Sequence, residues 1–352
     1  MALKRSFIAG LILAGLLGAL SGCGRVQVEE AMSQDDMWAL ARSYFESGDY
    51  LDAIDVLSIF TLNYSGSTRI DSAQYLLAES HFALGEYILA ESEYQRLADN
   101  LPQSPLVDEA RLKIILANVY MSPAYSHDQK FTERALAAAQ DFREDYTQTD
   151  FGLRLAPRNS TWESIRRVMT LGLWQPKRKD VTEIPLFQTK VVQPDRSRGF
   201  GTWLLRVLTF GLHDPPPPEG KIPPSTQAVS GDWVAQKAYA DTRARLARKV
   251  YESGALYYKQ DKFPSAVIYF DRVLDLYPET PWAEPALLGK ADSFYNMERY
   301  ADAARTYQLY LQQFGPEGKA EVREKLARSL EYSRRQPPPE PPPEEPLPVT
   351  GG

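Results

Sequence analysis

The chain has 352 residues, 43% of them hydrophobic and 24% charged, with a net charge of −6. That is enough for two or three packed units, and the mildly acidic balance excludes a nucleic-acid binder working through a strong basic field. One Cys and three His (His81, His127, His213) exclude structural disulfides, cysteine zinc sites and Cys/His dyads, whereas 20 Tyr, 14 Phe and 6 Trp point to packing and binding.

At the N-terminus, Lys4 and Arg5 precede an uncharged apolar run from Phe7 to Leu20, then small residues. This is the pattern of a secretory signal peptide, since a membrane span needs about 20 apolar residues. The lone Cys23 follows Leu20-Ser21-Gly22 and resembles the lipobox of bacterial lipoproteins. The resemblance implies a signal peptide over residues 1–22, a covalent lipid on Cys23 and a linker over 23–33. Acyl chains anchor by burying methylenes at about 0.8 kcal/mol each. Gly24, where Asp would favour the inner membrane, implies by the same resemblance the outer membrane, with the chain on its periplasmic face.

From residue 34 the chain repeats itself. Tyr44-Phe45-Glu46-Ser47-Gly48-Asp49-Tyr50 leading to Ala53 recurs as His81 to Ala90, Tyr257 to Ala266 and Phe294 to Ala303, with 37 residues between Ala53 and Ala90 and again between Ala266 and Ala303. Each copy reads aromatic-x3-turn-x-aromatic-x2-Ala and continues with Leu57/Phe60, Tyr94/Leu97, Phe270/Val273 or Tyr307/Tyr310. The spacing predicts helix–turn–helix units in which Ala41, Ala78, Gly254 and Ala291 allow close approach and Ala53, Ala90, Ala266 and Ala303 sit at the crossing. Such units resemble the tetratricopeptide repeat. A degenerate third copy is expected over Val107–Met121 and Ser126–Tyr146. The fold class is therefore all-α, a tetratricopeptide-like solenoid of about five repeats, with repeats 1–3 over 34–148 and repeats 4–5 over 232–332. Asp35 and Asp36 read as the N-terminal charge of a helix.

Between the two groups, residues 149–231 are basic and Pro-rich, with 12 Lys or Arg against 7 Asp or Glu. Arg167–Pro176 and Arg206–Pro215 match at six of ten positions, each preceded by a Trp and ending on Gly-Leu-x-x-Pro. Two short amphipathic helices are expected, Trp162–Trp174 and Trp203–Leu212, with Trp162, Trp174, Trp203 and Phe210 as contacts. They either pack on the solenoid or lie on a partner or membrane surface. His213 reads as a helix-end residue. Residues 333–352, rich in Pro and Glu, form an extended tail.

Lipobox, repeats and their order together resemble the BamD (ComL/YfiO) family of outer-membrane assembly lipoproteins. Asp128-Gln129 with Thr132-x2-Ala135-Leu136, Arg245-Leu246-Ala247 before Tyr257-Tyr258, and Tyr277-Pro278-Glu279-Thr280-Pro281 carry the resemblance. It implies a non-enzymatic scaffold of the β-barrel assembly machinery with no cofactor and no nucleic acid. The implied partners are a BamA-type insertase, held through its POTRA domains, and the C-terminal strands of unfolded outer-membrane proteins. Clients would be received by a groove around Tyr44, Tyr50, Tyr75, His81 and Tyr87. The insertase would be held around Tyr269, Arg272, Tyr295, Arg299 and Tyr307. Two features depart from the family: Ile268-Tyr269 replace an Asn-Arg pair, and residues 149–231 have no counterpart. A generic periplasmic repeat adaptor for peptidoglycan or Tol–Pal-like complexes is the alternative. No phosphate loop, Ser-His-Asp set or His-Glu-x2-His is present.

Overall fold

The structure, a computed structural model, describes residues 32–146, 149, 151–158, 182–192, 226–317 and 319–335. Cys23 and the signal segment, both helices expected in the insertion with Trp162, Trp174, Trp203 and Phe210, His213, and the Pro/Glu-rich tail lie outside the described residues.

The tetratricopeptide-like pattern folds as expected. Helices α1 (Gln34–Ser47) and α2 (Tyr50–Asn63), α3 (Ile70–Leu84) and α4 (Tyr87–Asn100), and α5 (Val107–Met121) and α6 (Lys130–Asp145) precede the insertion. After it come α7 (Gly231–Lys259), α8 (Phe263–Leu276), α9 (Ala283–Asn296), α10 (Tyr300–Phe314) and α11 (Ala320–Arg335). The described residues divide between two compact units, one drawn from Met1–Met121 and Ala137–Ala238, the other from Ser122–Leu136 and Tyr239–Gly352.

The crossing alanines explain why the helices pair. Ala41, Ala53, Ala78 and Ala90 are fully buried in the first unit, as are Ala266, Ala291 and Ala303 in the second. Interaxial distances of about 8–10 Å depend on small side chains at the contact. The apolar pairs downstream of each crossing, Leu57/Phe60, Tyr94/Leu97, Phe270/Val273 and Tyr307/Tyr310, are all core residues.

Each turn is closed the same way. Gly48 and Gly85 take φ of +82° and +80°, and at the equivalent positions Asp261 and Glu298 take 57° and 61°. The left-handed residue and its successor donate their N–H groups back into the last turn, as Gly48 to Phe45 and Asp49 to Tyr44. In the last copy Glu298 donates to Tyr295 and Arg299 to Phe294. These bonds satisfy carbonyls that a helix end otherwise leaves orphaned.

In the second unit, Gly254 of α7 and Gly289 of α9 are held to glycine by Phe270 of α8. A Cβ on Gly254 would lie 2.9 Å from the ring, and one on Gly289 would lie 2.7 Å from it. The loop before α6 is tied to α7 within this unit: Arg245 donates to the carbonyls of Ser122 and Pro123 at 3.0 and 2.6 Å, and Lys249 to that of His127 at 3.0 Å.

The insertion adds an element absent from the all-helical expectation. Strands β1 (Gly152–Pro157), β2 (Thr189–Val191) and β3 (Gln227–Ser230) form an antiparallel sheet in the order β2-β1-β3. Leu155 pairs with Val191 on one side and Gln227 on the other. Leu153 and Leu155 face inward and Arg154 outward, the period-two alternation of a half-buried strand. A 3₁₀ turn at Leu186–Gln188 packs on α5. Where the insertion leaves and returns, the Thr149 N–H donates to Asp232 Oδ2 and the Asp232 N–H to Thr149 Oγ1, both at 3.2 Å. Closing the ends of a long excursion at one point lets the host fold continue, because closure entropy grows only slowly with length.

Candidate functional site

The aromatic motif that marks each repeat is a staple across its turn. Phe45–Tyr50, Phe82–Tyr87, Tyr258–Phe263 and Tyr295–Tyr300 are edge-to-face pairs with centroids 5.6, 5.2, 5.5 and 5.4 Å apart. Such pairs contribute about 0.5–1.5 kcal/mol beyond burial. Tyr50, Tyr87 and Tyr295 therefore have one ring surface committed to the fold. Tyr87 also meets Tyr120 at 5.4 Å and accepts a hydrogen bond from Arg158 Nη2 at 3.1 Å. Tyr44, half-buried, packs on the repeat-one core, and His81 Nδ1 lies 2.7 Å from Glu86 Oε2.

Tyr75, half-buried, borders a buried polar network. Glu79 of α3 receives both the Tyr94 hydroxyl of α4 and the Lys113 ammonium of α5. The Lys113 and Glu79 side chains are almost wholly buried, and the Tyr75 ring lies 5.8 Å from Tyr94. Burial first, and then the Glu79 charge, push both phenols well above the ordinary tyrosine range.

Tyr307, expected at an insertase interface, is instead fully buried. The reason is a second copy of the same network: its hydroxyl donates to Asp292 of α9, which also holds Lys325 of α11 at 3.0 Å. Burial and the Asp292 hydrogen bond raise the Tyr307 phenol far above its ordinary value. A tyrosine whose hydroxyl finds a carboxylate packs as core.

In the second unit the outer side of α8 is accessible. Tyr269 stacks on Tyr257 of α7 with centroids 5.2 Å apart and planes at 21°. The exposed Arg272 guanidinium lies 5.9 Å from the Tyr269 centroid, and Ile268 beside it is 64% exposed. Tyr269 and Arg272 thus meet as one aromatic–guanidinium surface, the residue types that dominate interface hot spots. Arg299 sits elsewhere, at the α9–α10 turn, over Phe294 at 4.8 Å and paired with Asp302. Tyr295 joins Tyr300 and Tyr332 in a cluster beside that turn. In the sequence Tyr257 marks only the repeat motif; its stack with Tyr269 brings it to this surface.

Asp35 and Asp36 lie in the first turn of α1, where Ser33 caps the Asp36 N–H at 3.2 Å. Among the described residues no group of three or more His, Cys, Asp or Glu could hold a metal, and no helix is long and apolar enough to cross a membrane.

Residues 39–105 and 251–319 match the tetratricopeptide-repeat family. No curated protein matches the chain significantly. Among solved structures, it is similar to a thermophilic tetratricopeptide-repeat protein of Thermus thermophilus, at 12% identity and a TM-score of 0.26, covering 85% of this chain and 99% of that one. A tetratricopeptide-repeat protein of Parabacteroides merdae is 9% identical, with a TM-score of 0.28 and coverage of 84% and 98%. The TPR2AB domain of yeast Sti1 in complex with pHSP90 is 13% identical, with a TM-score of 0.27 and coverage of 84% and 98%.

Proposed function

Taking residues 39–105 and 251–319 as tetratricopeptide repeats, we propose that this protein-interaction scaffold is a lipid-anchored, non-enzymatic component of an outer-membrane β-barrel assembly machinery. Lipid on Cys23 holds the chain to the periplasmic face of the outer membrane. The α8 surface of Tyr257, Tyr269 and Arg272 holds the POTRA domains of a BamA-type insertase, with Tyr295 and Arg299 as a second contact. The accessible parts of Tyr44, Tyr50, His81 and Tyr87 receive the terminal strands of unfolded outer-membrane proteins.

The observation that carries this reading is the Tyr257–Tyr269–Arg272 stack, which stands where the BamD-like pattern places its partner contact although this chain has Ile268-Tyr269 there. An aromatic stack loses little rotamer freedom on binding, and its guanidinium supplies the charge. Purification of the tagged full chain from its native membranes should retain a barrel insertase, and Arg272→Glu should lose it while helical content is unchanged. Fatty-acid labelling should mark wild type and not Cys23→Ser. Recovery of a murein enzyme in place of the insertase would favour the generic adaptor.

A further inference from the structure

Helix α11 carries more positive charge than its own carboxylates use. Its cations are Arg323, Lys325, Arg328, Arg334 and Arg335, against Glu321, Glu324 and Glu331. Each carboxylate stands one turn before a cation and pairs with it: Glu321 with Lys325 at 3.2 Å, Glu324 with Arg328 and Glu331 with Arg335, both at 2.5 Å. Arg323 and Arg334 are left over. Both are exposed, and neither forms an ion pair among the described residues. They share one stripe with Ala327 and Leu330, at spacings of four, three and four residues, which a helix brings to a single face. Ala327 is exposed, and Leu330 is 44% exposed. The two arginines are 11 residues apart in sequence, about 16 Å at 1.5 Å per residue.

The chain itself supplies a segment of matching chemistry. Directly after α11 ends at Arg335, residues 336–352 hold eight prolines and three glutamates, Glu340, Glu344 and Glu345, with no Lys or Arg. Pro337 stops the helix from continuing, and the run that follows favours the polyproline helix. At about 3.1 Å per residue that conformation sets Glu340 and Glu345 about 16 Å apart, the separation of the two arginines.

We propose that residues 337–348 turn back along α11 and dock on this stripe as a polyproline helix, antiparallel to it. Glu340 faces Arg334, Glu345 faces Arg323, and the prolines between them cover Ala327 and Leu330. Side chains on a helix lean toward its N-terminus, so Arg334 meets the level at which Glu340 arrives after the reversal. A stiff segment loses little conformational freedom on docking, and the tether at Arg335 keeps its effective concentration in the millimolar range. Ion pairs this exposed are weak singly. The tail is therefore a releasable cover, one that an acidic segment of another protein can displace, and it is independent of the insertase reading.

The test uses the full chain with Cys23→Ser, so that dyes attach at Ala320→Cys and Thr350→Cys. With the tail docked these sites lie about 20 Å apart, whereas a rod running straight on from Arg335 separates them by about 60 Å. Energy transfer should be high at low salt and fall as ionic strength rises to about 1 M. It should drop by about half or more in Arg323→Gln/Arg334→Gln and in Glu340→Lys/Glu345→Lys. It should return when Arg323→Glu/Arg334→Glu is combined with Glu340→Lys/Glu345→Lys, which exchanges the charges. The arginines are exposed, so an unchanged circular dichroism melt reports an intact fold in each variant. Low transfer with both arginines and glutamates in place, transfer unmoved by the charge variants, or no recovery on exchange would overturn the proposal. So would loss of transfer on mixing with excess unlabelled chain, which would make the tail of a second copy the occupant.

Discussion

Gly289→Ala should make the protein easier to unfold, although alanine is the better helix former. In an open helix interior the change stabilises by about 1 kcal/mol. Here the new Cβ would stand 2.7 Å from Phe270 Cζ and 2.8 Å from Cε2, well inside ordinary contact. The ring has little room to move aside, because its Cε1–Cδ1 edge packs against Gly254 closely enough that a Cβ there would also lie only 2.9 Å away. Overpacking a core without free volume costs about 1–3 kcal/mol. An overlap this deep belongs at the upper end, so the net loss should be about 1–2 kcal/mol once the helix-propensity gain is subtracted. In a Phe270→Leu background the obstruction is gone, and the same Gly289→Ala change should stabilise. Thermal melts of the four proteins, with hydrogen exchange read on peptides from α8 and α9, give the cycle directly. If Gly289→Ala stabilises in both backgrounds by the same amount, the ring does not hold this position to glycine.

Three further outcomes follow from the described contacts. Glu298→Gly should raise stability by about 0.5–1 kcal/mol, read in a chemical melt, because the left-handed turn position no longer carries a Cβ. Lys113→Ala should cost about 3–5 kcal/mol by leaving Glu79 buried without its cation, while Glu79→Gln/Lys113→Met should recover most of that loss by the same assay. The carboxyls of Glu279 and Glu284 are held below the ordinary glutamate value by hydrogen bonds from Arg243 and from Lys319. Each stabilises the fold above the unfolded value of about 4.3 and loses that contribution as pH falls through its lower folded value. Melts of wild type and Glu279→Gln/Glu284→Gln should therefore differ at neutral pH and converge in acid.

The repeats were legible because helix crossing is strict about residue size. Ala53, Ala90, Ala266 and Ala303 cannot be large, so their spacing survives in the sequence. The turns were legible for a related reason, even though Asp261 and Glu298 stand where Gly48 and Gly85 would have been simpler. Tyrosine was not legible. Tyr94 and Tyr307 are core and Tyr269 is surface, and the difference lies in whether Glu79 or Asp292 waits across the helix pair, which depends on contacts 15 residues apart in sequence. For the same reason nothing local in the sequence marks Glu79 and Lys113 as buried. The sheet escaped because its strands, of six, three and four residues, are too short to show alternation amid prolines. Gly289, unlike Gly254, was missed because it falls outside the repeating motif.

Among the described residues, α11 is the last helix of the second unit. Of α11 only Val322 and Ser329 are buried. Two lysines reach back from this end of the chain to α9: Lys319 to Glu284 at 2.7 Å and Lys325 to Asp292 at 3.0 Å. The helix that covers α10 shields an apolar flank from water, and here Val322, Leu326 and Tyr332 pack against that flank while the two lysines add a charged fastening. Apolar fastening strengthens when excluded salts are added, whereas ion pairs at a partly wetted seam weaken as the Debye length contracts from about 8 Å at physiological salt to about 3 Å at 1 M. The electrolyte around the protein therefore tunes how firmly the shield sits, and with it how much of Tyr310 and Phe314 a neighbouring surface can reach.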